Sequence, residues 1–301
     1  MFKDSANFRK ISNFEWIVFA IIAGAMILSF LAQGTSAQDD GFLHVHFLDV
    51  GQGDAIFIDF KGNQVLIDGG PNNKVLQELG RVMPFNDRSI DLLVLTHPDA
   101  DHINGLIEVL NRYEVGNILE NPLEKHNTPT YRVWNELKNE AKITQAKRGQ
   151  IVDLGGGAYL EVLYPVNTDL DQSKTNNNSI VAKLVYGESE LLLTGDIEAK
   201  VERELIGRQI NIDVDFLKVP HHGSKTSSTE EFLNAVTPEV AFIQLSKDNN
   251  YGHPHSTVLE RFKSRGIRYY RTDLDGAVEL ILDGFNYKIN GASQRTNTDI
   301  N

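Results

Sequence analysis

Seven residues, Thr96-His97-Pro98-Asp99-Ala100-Asp101-His102, follow directly on the apolar run Leu92-Leu93-Val94-Leu95. This order places four ligand-type side chains at the end of a buried strand. Imidazoles and carboxylates spaced i, i+2, i+4 and i+5 on a loop can converge on one or two divalent ions, because a loop is not confined to one helical face. A lone His-Asp pair here would read as a polar turn. Four alternating ligand types after four core residues predict a metal site instead.

No cysteine occurs in the 301 residues, so thiolate ligands, disulfides and cysteine nucleophiles are excluded. Every ligand must be His, Asp, Glu or a carbonyl. The net charge of -12 gives no global attraction for nucleic acid, which disfavours a passive DNA-binding module. It weighs less against an enzyme, since two divalent ions would bring positive charge to the point where a phosphate must sit. The local cluster Arg261, Lys263, Arg265, Arg268 and Arg271 reads as a solvated helix face and strand end. At the start of the chain, Lys3, Arg9 and Lys10 precede Trp16 to Ala32, an uninterrupted stretch without charge. This pattern predicts an export signal or membrane anchor over residues 1–37, with Thr35-Ser36-Ala37 suited to signal peptidase and the remainder outside the cytoplasmic membrane.

From Phe42 the pattern turns to short strands, with His44 to Val50, Ala55 to Phe60 and Gln64 to Ile67 expected as a meander ending in Asp68-Gly69-Gly70. Helices are expected around Val75 to Val82, Gly105 to Arg112, Tyr131 to Ala141, Ala199 to Ile206, Thr229 to Val236 and Ser256 to Arg265. His44 and His46 read as core or edge positions of the first strand, and Asp54 as a turn cap. An internal echo runs through the chain. Val65-Leu66-Ile67-Asp68-Gly69-Gly70 matches Leu191-Leu192-Leu193-Thr194-Gly195-Asp196, and Leu93-Val94-Leu95-Thr96-His97 matches Leu217-Lys218-Val219-Pro220-His221, at offsets of 124 to 126 residues. Two similar units predict an α/β fold of two packed sheets with helices outside, a four-layer αββα sandwich with its ligands where the strand ends meet.

The segments Leu48-Asp49-Val50-Gly51-Gln52-Gly53-Asp54, His97 to His102, Asn176 to Ser179, Leu193 to Asp196, Lys218 to Ser224 and Tyr251-Gly252-His253-Pro254 together resemble the metallo-β-lactamase superfamily. Within it, they resemble the extracellular hydrolase-like domain of ComEC-type DNA-uptake proteins over about residues 43 to 285. The resemblance implies a metallo-β-lactamase fold over residues 42–288, and the polar residues 289–301 are expected to form a disordered tail. It implies two divalent ions, zinc or manganese, and hydrolysis of DNA or another phosphodiester. Carried over, His97 and Asp99 would hold one ion, Asp101 and His102 the other, and Asp196 both. One of His221 and His222 would complete the second site, the other facing substrate.

Asp101 would also orient or deprotonate the attacking water, and His253 would protonate the leaving oxygen or bind phosphate. Asp68 would hold the ligand loop from behind, Asn178 stands nearest to a histidine that the superfamily usually has, and Ser224 would bind phosphate or cap a helix. Asp99 stands where a histidine is usual, so the first site is harder and suits manganese as well as zinc. The alternatives are a hydrolase of small or cell-wall phosphodiesters, of a lactone or β-lactam, or a non-catalytic scaffold of an uptake system. A separate membrane channel would be the partner, since one apolar span cannot form a channel alone.

Overall fold

A computed structural model describes residues 40–123, 128–166 and 173–291. The first sheet is built from β1 (Leu43–Phe47), β2 (Ile56–Phe60), β3 (Asn63–Ile67), β4 (Ser89–Leu95), β5 (Glu114–Glu120) and β6 (Lys142–Gln145). The second takes β7 (Ile151–Gly155), β8 (Ala158–Tyr164), β9 (Val181–Tyr186), β10 (Ser189–Leu193), β11 (Phe216–Lys218), β12 (Val240–Ile243) and β13 (Arg268–Arg271). The chain then returns to the first sheet with β14 (Val278–Leu282) and β15 (Tyr287–Gly291). The sheet orders are β15-β14-β1-β2-β3-β4-β5-β6 and β7-β8-β9-β10-β11-β12-β13.

Helices α1 (Lys74–Val82), α2 (Ala100–Leu110) and α3 (Pro129–Leu137) cover the first sheet. The second is covered by α4 (Ala199–Gly207), α5 (Glu230–Val236) and α6 (Ser256–Arg265), and a short α7 (Thr272–Asp275) follows β13. Alternation decides which side chains enter the middle layer. Leu43, Val45 and Phe47 of β1 point into it, and Phe47 stacks on Phe242 of β12 with ring centroids 4.1 Å apart. Burying each such side chain contributes ~1.5–3 kcal/mol.

The internal echo is realised as topology. β1 to β6 and β8 to β13 both run antiparallel, antiparallel, then parallel three times. Within each sheet the parallel strands, β3 and β4 in one and β10, β11 and β12 in the other, release their following segments at one edge, and contacts such as Asp196 Oδ2 to His102 Nε2 at 3.4 Å bring the two edges together. Such an edge is where binding groups gather in sheets of this type.

Three expectations need correction. Asp101 and His102 lie in the first turn of α2, not on a loop, because the helix begins at Ala100. The tail expected from residue 289 is strand up to Gly291, with Asn290 paired opposite Glu279. Asp54 caps no turn, being buried against Lys218. The predicted export segment, residues 1–37, and the tail beyond Gly291 lie outside the described residues. Among the described residues, no helix is long and apolar enough to cross a membrane.

Candidate metal centre

The strand ends deliver the site. After β3 comes Asp68, after β4 His97, after β10 Asp196, and after β11 the pair His221 and His222. Asp99 occupies the N-cap of α2 but makes no side-chain capping bond; its Oδ2 accepts from Thr175 Oγ1 at 3.0 Å and lies 3.7 Å from His97 Nε2. His221, His222 and Gly223 have φ of 50°, 54° and 80°, a left-handed run that non-glycine residues adopt at a cost of about 1–3 kcal/mol each. It turns the two imidazoles in different directions.

His97, His102 and His222 are buried, and each is pinned through Nδ1. His102 Nδ1 donates to Asp68 Oδ2 at 2.7 Å, and His222 Nδ1 to the Gln244 carbonyl at 2.8 Å. His97 Nδ1 meets two hydroxyls, Thr96 Oγ1 at 3.1 Å and Ser179 Oγ at 3.3 Å. Thr96 already gives its proton to Asp68 and Ser179 to the Asn176 carbonyl, so both hydroxyls accept and Nδ1 donates. All three rings therefore aim Nε2 into the site.

Those three Nε2 atoms and Asp196 Oδ1 are buried without a hydrogen-bond partner. Asp196 Oδ2 lies 3.4 Å from His102 Nε2 and 3.2 Å from His222 Nε2, and Asp101 Oδ2 lies 3.6 Å from His222 Nε2. His97, His102 and Asp196 form one set of mutually close ligand atoms, and Asp101, His102 and His222 another. Orphaned imidazole nitrogens facing carboxylates, with each Nδ1 held by a carboxylate, carbonyl or hydroxyl, are what a divalent-ion site requires. The residues present fit the ions that the sequence implies.

The electrostatics agree. Burial opposes charge on His102, yet Asp196 and Asp68 carry its pKa well above the ordinary value; for His222, Asp196 and Asp54 do the same against the same burial. Burial would raise Asp196, but His222 and His102 outweigh it and hold the carboxyl well below its usual range. The carboxylates around these buried imidazoles thus favour positive charge at the centre of the cluster. Burial, then the charge of His102, pushes His97 down. Asp101 is likewise held well below the usual range, chiefly by His222 and His102 acting against burial.

His221 stands apart from these ligand sets. Its Nε2 is 3.2 Å from Asn176 Nδ2 and its Nδ1 3.4 Å from Thr226 Oγ1, at the lip of the site and 5.5 Å from the His253 ring. Burial, then His222 and His221, lowers the pKa of His253 to about 4. His253 stands beside His221 at the mouth of the site, where it can reach a phosphate or a leaving oxygen. Asn178 is buried in a short 3-10 turn, and Ser224 Oγ accepts from the Thr226 backbone N–H at 3.3 Å. His255 caps α6, with Nδ1 accepting from Thr257 N.

Sequence reasoning misses four supports. Ser179 Oγ accepts from the Asp196 backbone N–H at 3.1 Å while holding His97, and Thr96 links Asp68 to His97. Gln244 orients His222 and ties the sheets together through the Leu48 and Ala55 carbonyls. Lys218 lies 2.5 Å from Asp54, which in turn lies 3.3 Å from His222 Nδ1. The one visible signal is Lys218 itself, a single charge within an apolar strand that must find a partner when buried. Most of the basic cluster at 261–271 is internally paired: Arg261 with the Ser228 carbonyl, Arg265 with Glu230, Arg268 with Tyr287 and Arg271 with Asp273.

The metallo-beta-lactamase superfamily model matches residues 48–246. ComE operon protein 3 of Bacillus subtilis strain 168 is 32% identical over 279 residues, which cover 86% of this chain and 35% of that protein. Competence protein ComA of Neisseria gonorrhoeae is 31% identical over 258 residues, covering 84% of this chain and 34% of that protein. The chain thus spans about a third of the length of these relatives. Two solved structures share the fold at low identity. The metallo-β-lactamase fold protein YhfI from Bacillus subtilis has a TM-score of 0.50 at 11% identity, covering 76% of this chain and 95% of that one. A CmlA β-hydroxylase mutant has a TM-score of 0.51 at 13% identity, covering 91% and 60%. With the four-layer architecture, the converging strand ends and the family match in agreement, the chain belongs to the metallo-β-lactamase superfamily.

Proposed function

We propose that this chain is a metal-dependent phosphodiesterase that cuts DNA outside the cytoplasmic membrane. The observation that carries the reading is the set of buried, unpartnered Nε2 atoms of His97, His102 and His222 facing Asp196. In this reading His97 and Asp99 hold one divalent ion, Asp101, His102 and His222 the other, and Asp196 serves both. When bound, such ions supply Lewis acidity at a phosphoryl oxygen and make water a nucleophile at neutral pH.

The chain's own residues do the positioning. The Asp101 side chain is 31% exposed and stays ionised, so it orients the incoming water. His253 gives an N–H to a phosphate oxygen or a proton to the leaving oxygen, and His221 flanks it at the lip. Tyr251 stacks beside His253 and is 70% exposed, a flat ring on which a base can rest; this favours a nucleic acid over a small phosphodiester. The competence proteins among the relatives support the same substrate, with a separate membrane channel as partner. The uncharged stretch Trp16 to Ala32 supports an extracytoplasmic location.

The test is cleavage of end-labelled single- and double-stranded DNA by the full chain with manganese or zinc, beside Asp101→Ala, Asp196→Asn and a chelator. Metal-dependent cutting that both substitutions abolish is expected. Folded, metal-loaded protein that leaves DNA intact overturns the nuclease reading; turnover of a model phosphodiester under those conditions would identify a small-substrate hydrolase.

A further inference from the structure

A second group of ligand-type side chains lies on the outer face of the first sheet. His44 and His46 alternate on β1 with Val45 pointing inward between them, so both imidazoles share one face. Glu279 on β14 is the register partner of His46. Its Oε1 lies 2.8 Å from His44 Nδ1 and 3.8 Å from His46 Nε2, and one ligand atom from each residue lies within 4.8 Å of the others. The three line a cavity of about 640 Å³ whose far wall is the end of α1, including Val82, Met83 and Pro84.

We propose that His44, His46 and Glu279 form a further divalent transition-metal site of the zinc type, separate from the centre at the strand ends. Two imidazoles and one carboxylate are a sufficient protein contribution when water from an adjoining cavity completes the coordination. The ligands stand on paired strands, which hold them more rigidly than a loop would. Two of them also have outer support. Asp40 Oδ2 lies 3.1 Å from His44 Nε2, so a carboxylate fixes the ring to present Nδ1 inward. Asn290 Nδ2 donates to Glu279 Oε2 at 2.9 Å, leaving Oε1 as the oxygen that faces both imidazoles.

Charge points the same way. Glu279 Oε1 lies 2.8 Å from His44 Nδ1, so a carboxylate stands directly beside the nitrogen that would bind the ion. The contact of His46 Nε2 with Glu279 Oε1, at 3.8 Å, is too long for a hydrogen bond. Asp59, opposite His44 on β2, adds negative charge to the same cavity. Arg81, a cation that lines the cavity, is engaged by Glu78. A bound ion here ties β1 to β14, joining the first strand of the described fold to its return strand.

The experiment counts metal in the full chain. Stripped protein is loaded with zinc, freed of excess, and assayed by elemental analysis, with cobalt absorption spectra as a second readout. Wild type is compared with Glu279→Gln, His46→Asn and a centre-blocked His102→Ala/Asp196→Asn variant. The expected result is one equivalent fewer in each outer-site variant with phosphodiester cleavage retained, and one equivalent kept by the centre-blocked chain with its cobalt bands intact. A zinc-induced rise in melting temperature should persist in the centre-blocked chain and vanish when Glu279→Gln is added. Equal zinc content in wild type and both outer-site variants, or none in a folded centre-blocked chain, overturns the proposal. The centre-blocked chain also keeps the test decisive should an outer-site variant fail to fold.

Discussion

His102 Nδ1 lies 2.7 Å from Asp68 Oδ2, and both side chains are buried. The same carboxylate accepts the Thr96 backbone N–H at 2.9 Å and its hydroxyl at 2.6 Å, so a single Asp sets the tautomer of His102 and anchors the end of β4. Asp68→Asn keeps the shape but must turn an NH2 group toward one of these donors. Its expected effect is a loss of about 10- to 100-fold in metal affinity or activity. Competition against a chromophoric chelator measures this; unchanged affinity would mean that the contact does not orient the ligand.

Asp54 and Lys218 form a buried ion pair behind His222, each side chain no more than 2% exposed. Removing one charge leaves the other buried and uncompensated, so Asp54→Asn should destabilise the fold by about 3–5 kcal/mol, while Asp54→Asn/Lys218→Met should recover much of that. Burial raises the Asp54 pKa, but Lys218 and His222 outweigh it and hold it below its ordinary value of 3.8. A depressed folded-state pKa contributes stability that is complete above 3.8 and is lost as pH falls through the lower folded value. Urea titrations from neutral to strongly acidic pH should therefore show this acid-side loss in wild type and a smaller one in Asp54→Asn. Identical pH dependence in the two would overturn the assignment.

The sequence announces the site more clearly than its supports, and the reason is local. Apolar runs ending at Asp68, His97, Asp196 and His221 mark strand ends, because a strand buried on both faces reads as a continuous run and stops where polar residues begin. Periodicity cannot separate the ligand segment into an extended half and a helical half, since Pro98 obscures where α2 starts. β5 and β6 carry little signal: Glu114, Gly116 and Asn117 interrupt one, and the other is an exposed edge of Lys142, Ile143, Thr144 and Gln145. The ties of Ser179, Gln244 and Lys218 reach across the fold. No pattern along one strand encodes a partner on another.

Gly105 in α2 and Gly69 touch backbone to backbone. A Cβ added at Gly105 would lie 1.8 Å from the Gly69 carbonyl oxygen, and Gly105 N already donates to the Gly70 carbonyl at 2.9 Å. Gly105→Ala should gain helix propensity in isolation, yet here it must push α2 off the loop after β3, at an expected net cost of about 1–3 kcal/mol. Since α2 carries Asp101 and His102, metal affinity should fall with stability. Chemical denaturation and a metal titration on the same preparation check both; a stabilised variant would mean that the helix can shift freely.

His221 and His222 are adjacent, share left-handed backbone, and should nevertheless behave differently when truncated. His222 is buried, with Nδ1 committed to the Gln244 carbonyl and Nε2 facing Asp196 and Asp101. His221 is 20% exposed, held by Asn176 and Thr226 at the lip. His222→Ala should release bound metal and abolish turnover, and adding more metal should restore little, because an inner nitrogen is gone. His221→Ala should retain the metal content of wild type and lower kcat/KM, since what it removes is contact at the mouth. Measuring metal content beside steady-state kinetics separates the two. If His221→Ala loses metal while His222→Ala keeps it, the assignment of the two imidazoles is reversed, and the turn at Pro220–Gly223 must rearrange when ions bind.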